Sequence, residues 1–394
     1  MKRRSFIKQT GLAATAMAAS SPILAGIITK KSTKQINIAV IGTGDRGSGL
    51  IPYIDEIEGL NLTACCDILP FRLKNGLNKA KGKVKGYSDY RKLLEDKNLD
   101  AVLIATTFSE HGKIAADAIA AGKHIYCEKT LAKGYDDIKN LIKKVAHSNL
   151  IFQTGHQYHS SRLYTHVAGF LKSGKAGKIA AIESQWNRHW NWRRPVPDPT
   201  LEKAINWRMY REFSGGLVAE LCSHQIDFSN WILGALPEKV MGVGGIDYWK
   251  DGRETYDNVH LIYSYPNGTK ATYTCLTSNS KDNYLIKVIG DKGILQVSDS
   301  NAWFFPENTG EKKLANVDGV SGATASWVEN KGYPIKVSHI EPSKQALIDF
   351  KDSILNNTQP ISNFKTGANT AICVQMGLDA MYKEKIVTLP KITV

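Results

Sequence analysis

Cysteine is scarce and without pattern in this sequence. Six occur among 394 residues: an adjacent pair, Cys65 and Cys66, and the scattered Cys127, Cys222, Cys275 and Cys373. No paired spacing marks a disulfide framework or a zinc site, and a chain this long needs no covalent staples, so buried thiols are expected. Long apolar runs are missing as well, which excludes a polytopic membrane protein. With 42% apolar and 22% charged residues, disordered and collagenous classes are excluded too. Acidic residues are the minority, 37 against 51 bases, for a formal charge of +14. That excess is uneven. Residues 1–34 hold seven bases and no acid, leaving +7 for the rest. A charge so spread, with no recognisable module, argues against nucleic-acid binding.

The basic opening Met1-Lys2-Arg3-Arg4-Ser5-Phe6-Ile7-Lys8 precedes a weakly apolar stretch from Gly11 to Ile28. This is the layout of an export signal, and the paired arginines resemble the twin-arginine type, which implies a periplasmic protein exported already folded. The stretch is too rich in Ala and Ser, and too interrupted by Pro22, to predict a stable span once the signal is removed. Residues 1–34 are read as signal and linker.

From Ile36 the pattern changes. Short apolar runs (Ile36–Ile41, Leu60–Cys66, Ala101–Ala105, His124–Cys127, Ile151–Thr154) alternate with helical periods such as Lys113–Ala121 and Asp136–Ala146. Such alternation predicts an α/β, doubly wound parallel sheet of the Rossmann type over residues 35–157. Gly42-Thr43-Gly44-Asp45-Arg46-Gly47 directly follows the first strand, and Asp67 ends the second. Gly42 suits a tight turn, Gly44 a close approach of backbone to pyrophosphate, and Gly47 close packing of helix on strand, with Asp45 and Arg46 between them. Asp67 is placed to accept from ribose hydroxyls, which favours NAD over NADP. A strand-end cap is its plainer role, and Arg72 could serve a 2′-phosphate. Pro52 predicts a short or kinked first helix.

Two further groups carry chemistry. Glu128 and Lys129 end an apolar strand, and in an open parallel sheet that end faces the ligand crevice. A surface ion pair is the simpler explanation. Ser214-Gly215-Gly216 introduces a helical pattern in which Glu220, His224 and Asp227 share a face, with Asp227 expected to bind substrate. A carboxylate one turn away could orient the imidazole as a general base, though a satisfied core histidine fits the same pattern. No second His or Cys lies near enough for a metal site.

Taken in this order and spacing, the glycine fingerprint, the Glu-Lys-Thr, the Gly-Gly and the acid-x-x-x-His helix resemble the Gfo/Idh/MocA family of sugar-modifying oxidoreductases. The resemblance covers nearly the whole chain beyond the leader. It implies that Lys129 contacts cofactor and substrate, that His224 accepts the proton, and that Glu220 stands where the family has aspartate. It also implies that Thr106 and His111, in Thr106-Thr107-Phe108-Ser109-Glu110-His111, belong to a loop over the cofactor, and that Gly155-His156-Gln157 faces substrate. Thr130 replaces the family's proline.

Residues 158–394 predict an α+β domain with an open, largely antiparallel sheet (strands over Ile179–Trp190, Val240–Tyr248, Asn258–Tyr265, Thr269–Thr277 and Tyr284–Ile289) and two late helices, Pro342–Leu355 and Thr366–Tyr382, packing back on the body. The resemblance implies that this sheet covers the active site and pairs subunits in a homo-oligomer. Trp186, Trp190 and Trp192, interleaved with Arg188, Arg193 and Arg194, fit either sugar stacking or a subunit interface. The expected function is hydride transfer between a sugar or sugar derivative and tightly bound NAD. The alternatives are an NAD-assisted glycoside hydrolase or lyase working through a transient keto-sugar, and a non-catalytic sugar-binding protein.

Overall fold

The predicted apolar runs become the strands of a parallel sheet. In chain order the first part is β1 (Ile36–Ile41), α1 (Asp45–Glu56), β2 (Leu60–Cys66), α2 (Pro70–Lys79), β3 (Lys85–Tyr87), α3 (Tyr90–Leu94), β4 (Ala101–Ile104), α4 (Phe108–Ala120), β5 (His124–Cys127), α5 (Tyr135–Val145) and β6 (Phe152–Thr154). The strands pair in the order β3-β2-β1-β4-β5-β6, all parallel. Strand order reverses between β1 and β4, and the carboxyl ends there open the crevice that such sheets use for ligands. The computed structural model describes residues 35–281, 283–298, 300–307, 332–338 and 340–394; the leader read at 1–34 lies outside them.

The second part follows as α6 (Arg162–Lys172), β7 (Ile179–Trp186), α7 (Glu202–Ile205), α8 (Ser223–Leu233), β8 (Lys239–Gly245), β9 (Asn258–Ser264), β10 (Lys270–Leu276), β11 (Tyr284–Gly290), β12 (Gly293–Ser298), β13 (Asn301–Pro306), β14 (Tyr333–Ile335), α9 (Pro342–Asn356), α10 (Phe364–Tyr382) and β15 (Val387–Thr388). These strands form one sheet ordered β14-β13-β12-β11-β7-β10-β9-β8-β15. Only β7 and β10 run parallel within it, because the chain leaves β7 through a long excursion that includes α8 before the sheet resumes. Alternate residues of β9 and β10 are buried. On the opposite, open face Met241, Val243 and Ile262 are exposed.

One sequence expectation changes here: α1 is neither short nor broken at Pro52, and runs twelve residues. Proline removes one N–H from the ladder, but Leu50, Ile51 and Ile54 are buried against the sheet and hold the helix through it. The first of the late helices packs back onto the first sheet. In α9, Leu347 and Phe350 join the core of the first sheet, with Phe350 edge-on to Tyr126 at 5.8 Å. All six cysteines are buried and free. No helix among the described residues is long and apolar enough to cross a membrane.

Candidate active site

The turn after β1 is built by glycines whose roles differ. Gly42 has φ +91, and a Cβ there would stand 2.5 Å from the Ala105 carbonyl oxygen. At Gly47 a Cβ would stand 1.8 Å from the Gly42 oxygen, so only glycine lets α1 start this close to the turn. Gly44 is different: nothing lies nearer than 3.7 Å to its would-be Cβ, and its open side faces a cavity. Asp67, 9% exposed, accepts the Thr43 N–H on Oδ2 at 2.8 Å and the Leu69 N–H on Oδ1 at 2.9 Å. Its carboxylate is thus fixed at the cavity wall, the expected cap and the expected ribose acceptor being one group. These residues form a cradle shaped for a dinucleotide, with the α1 N-terminus beside it.

A single cavity of about 1020 Å³ runs from this cradle to His224. Its wall includes Gly42, Gly44, Asp45, Arg46 and Asp67 at one end, and Thr106, His111 and Glu128 along the side. Lys129, Gln157, Glu220 and His224 are lining residues too. Three of the expected residues stand outside the lining: Gly47, which is packing, and His156 and Asp227, which are buried behind it. Asp227 is a correction. Its Oδ1 accepts from the Thr370 hydroxyl at 2.9 Å and its Oδ2 stands 2.7 Å from His159 Nε2. Both carboxylate oxygens are committed inside the core, because the continuation of the helical face from His224 turns toward α10 rather than toward the cavity.

Around Lys129 the wall is tied together by backbone carbonyls. Lys129 Nζ donates to the Glu220 carbonyl at 2.7 Å, and the Thr130 hydroxyl donates to the Ala219 carbonyl at 3.1 Å. The His111 ring bridges the Thr130 and Thr106 carbonyls, at 2.8 Å from Nδ1 and 3.3 Å from Nε2, and so fastens the Thr106 segment to the Lys129 turn. Burial lowers the Lys129 pKa, against the pull of Glu220 and Glu128. Glu128 is itself occupied: it accepts from Arg46 Nε at 2.7 Å. Burial works to lower the Arg46 pKa, but Glu128, with Tyr126 and Glu341, outweighs it and the value is raised. Arg46 therefore belongs to a part-buried ion pair that holds the turn after β1 to the end of β5.

The expected partner of His224 is elsewhere. Glu220 lies in a π-helical turn, Val218–Cys222, just ahead of α8, and its Oε2 accepts from Arg208 Nε at 2.8 Å. A π turn carries more residues per revolution than an α turn, so the i,i+4 geometry assumed from the sequence is lost. Glu220 does not orient His224. Burial would raise the Glu220 pKa, yet Arg208 and Lys129 bring it below the ordinary value. His224 is 5% exposed, with Nδ1 buried and without a partner. It is held by rings instead: Tyr158 at 5.1 Å, Trp186 at 5.6 Å and His156 at 5.8 Å. Burial, then Lys129 and His156, keep its pKa well below the usual imidazole value. His156 is wholly buried, and burial pushes its pKa down to about 4.

Sequence reasoning missed Arg208 altogether and saw Arg188 only as part of a Trp/Arg run. The missed signal is a repeated pairing: Arg188 lies over Trp186 at 5.1 Å, Arg194 over Trp190 at 4.7 Å and Arg208 over Trp207 at 4.3 Å. All six line the cavity, and Arg194 also reaches Asp45 at 2.8 Å. Among the described residues no group of three His, Cys, Asp or Glu is placed to hold a metal ion.

Comparison with known proteins agrees with this geometry. Residues 36–156 match the oxidoreductase family with an NAD-binding Rossmann fold, and residues 164–296 match the GFO/IDH/MocA C-terminal domain. Myo-inositol 2-dehydrogenase of Thermotoga maritima is 28% identical over 213 residues, 54% of this chain and 59% of that enzyme. The 2,7-anhydro-N-acetylneuraminate hydratase of Escherichia coli is 24% identical over 265 residues, 66% of this chain and 67% of that one. The fold is shared with levoglucosan dehydrogenase solved in complex with NADH, at TM-score 0.74 and 18% identity over 91% of this chain and 100% of that one. Aldose-aldose oxidoreductase from Caulobacter crescentus shares it at TM-score 0.71 and 18% identity, over 90% of this chain and 100% of that one. With both of its matched domains from one family, the chain belongs to the GFO/IDH/MocA oxidoreductases.

Proposed function

We propose that this protein is an exported enzyme that moves a hydride between a ring carbon of a sugar or sugar derivative and NAD. The observation that carries the reading is the continuous cavity, with the glycine cradle and Asp67 at one end and Lys129 with His224 at the other. The cradle fits the cofactor: Gly44 leaves room for pyrophosphate, and the fixed carboxylate of Asp67 suits ribose hydroxyls and would repel a 2′-phosphate, so NAD is favoured over NADP. Bound there, NAD supplies the hydride chemistry. His224, kept uncharged by its surroundings, takes the proton of the substrate hydroxyl. Lys129, with N–H groups on the Glu220 and Ala219 carbonyls, has a third for the substrate oxygen and stabilises negative charge on it. Glu220 with Arg208 balances charge beside Lys129. Gln157 lines the same cavity as His224 and belongs to substrate binding; His156 acts behind His224 as packing.

The test is His224→Ala. NADH binding should persist while sugar-dependent change in nicotinamide absorbance falls by about 100-fold or more; undiminished turnover would refute the role. A second reading has support from the hydratase relative: the hydride returns to the same sugar after a keto intermediate has eased elimination. Solvent deuterium entering the carbon next to the oxidised one, without net NADH, would mark that route.

The opening Arg3-Arg4 and the apolar stretch after it support periplasmic residence; cell fractionation of an Arg3→Lys/Arg4→Lys variant should find the protein retained inside. The exposed Met241, Val243 and Ile262 support a homo-oligomer through the open sheet face, which light scattering would check.

A further inference from the structure

Arg188 follows β7 and is anchored through its own backbone, its N–H donating to the Leu276 carbonyl at 2.7 Å. The guanidinium lies over Trp186, whose ring also meets His224 and, at 4.9 Å, Tyr284. This stacking fixes the side chain in the wall shared by Lys129, Gln157 and His224. Among the described residues the Arg188 side chain has no hydrogen bond and no ion pair; its contact is the Trp186 ring. A guanidinium has five N–H donors and no acceptor, so leaving one half-buried and unmatched is costly. Burial draws its pKa down, with Arg208 adding, against Cys275, Tyr158 and Glu220.

The neighbouring guanidinium groups are already matched. Arg208 is held by Glu220, Arg46 by Glu128 and Arg194 by Asp45. Lys129 is turned to the Glu220 and Ala219 carbonyls. Among the described residues Arg188 is thus a surplus cation at the reacting end of the cavity.

We infer that the sugar taken at this site carries a carboxylate, as a uronic acid does, and that Arg188 receives it. A planar guanidinium matches a carboxylate with two parallel hydrogen bonds, and one unmatched positive charge balances one negative charge. A phosphate dianion would call for a second free cation; Arg208 is already spent on Glu220, and Lys129, turned to backbone carbonyls, serves the reacting oxygen. This inference rests on the oxidoreductase reading for the chemistry, but its own content is a binding preference.

The experiment compares matched ligands on the full chain loaded with NADH. Methyl glucuronide and methyl galacturonide are titrated beside methyl glucoside and methyl galactoside, by calorimetry and by quenching of tryptophan fluorescence. The wild type should bind one of the acidic sugars about 10- to 100-fold more tightly than its neutral twin, the range expected of charge-assisted hydrogen bonds. Arg188→Gln should bring that ratio close to one while NADH affinity is kept, and Arg188→Lys should retain part of it. Equal or tighter binding of the neutral sugars, no binding of either acid, or an unchanged ratio in Arg188→Gln overturns the inference. Turnover of neutral sugars alone overturns it while leaving the oxidoreductase reading intact. Preferential binding of an acid with no nicotinamide absorbance change does the reverse.

Discussion

The buried imidazole of His156 makes acid sensitivity a quantitative test of how the site wall is packed. Its pKa is about 4 in the folded chain, against an ordinary value near 6.5. Because the folded value is the lower one, the unfolded chain takes the proton first as pH falls. The stability tied to this group is complete above about pH 6.5 and is lost progressively toward pH 4. At pH 5 an unfolded imidazole is mostly protonated and the buried one mostly is not, which is worth about 2 kcal/mol; the full loss approaches about 3 kcal/mol. His224, also held below its usual value by burial, adds in the same direction. Urea unfolding at pH 7.5 and pH 5.0 should show the wild type losing more than this 2 kcal/mol, and His156→Gln losing about 2 kcal/mol less than the wild type over the same interval. Absolute stability of the variant does not enter, since the comparison is between slopes. If both proteins lose stability equally, or if His156 titrates near pH 6.5 in a nuclear magnetic resonance experiment, the packing argument for this wall is refuted.

Gly44→Val should leave the melting temperature within about 2 °C of wild type, because nothing stands close to the new Cβ, yet reduce NADH affinity by about 100-fold or more by filling the cradle. A large loss of folding stability, or unchanged NADH binding, would remove Gly44 from the cofactor site. Glu220→Gln keeps the shape but leaves Arg208 without its carboxylate. Since the Arg208 side chain is 36% exposed, solvent screens part of the effect, and a loss of about 1 kcal/mol is expected with a clear drop in turnover. Unfolding curves and steady-state rates check both; full activity would free Glu220 from any part in the reaction.

Much of this molecule was legible from local pattern. The Rossmann strands, the glycine cradle and Asp67 are encoded by neighbours in sequence: a turn requires its glycine where φ is positive, and a parallel strand buried on both faces must be apolar throughout. Lys129 and His224 were legible from a family resemblance carried by short motifs. Helical spacing misled at Glu220 and Asp227, because face-sharing at i,i+4 assumes an unbroken α-helix and says nothing about which face meets the cavity. The π turn at Val218–Cys222 and the packing against Thr370 and His159 set those two side chains.

By itself, then, the sequence determined which segments could be strands and helices and which turn could approach a phosphate, since those depend on backbone conformation and nearest neighbours. The tertiary structure alone decided how the charges pair. Glu128 with Arg46 joins residues 82 apart in the chain, and Arg194 with Asp45 joins residues 149 apart. Only the packing of the two sheets shows that Arg188, unlike these, meets no carboxylate among the described residues, because Coulomb energy and hydrogen bonding follow distance in space rather than separation along the chain.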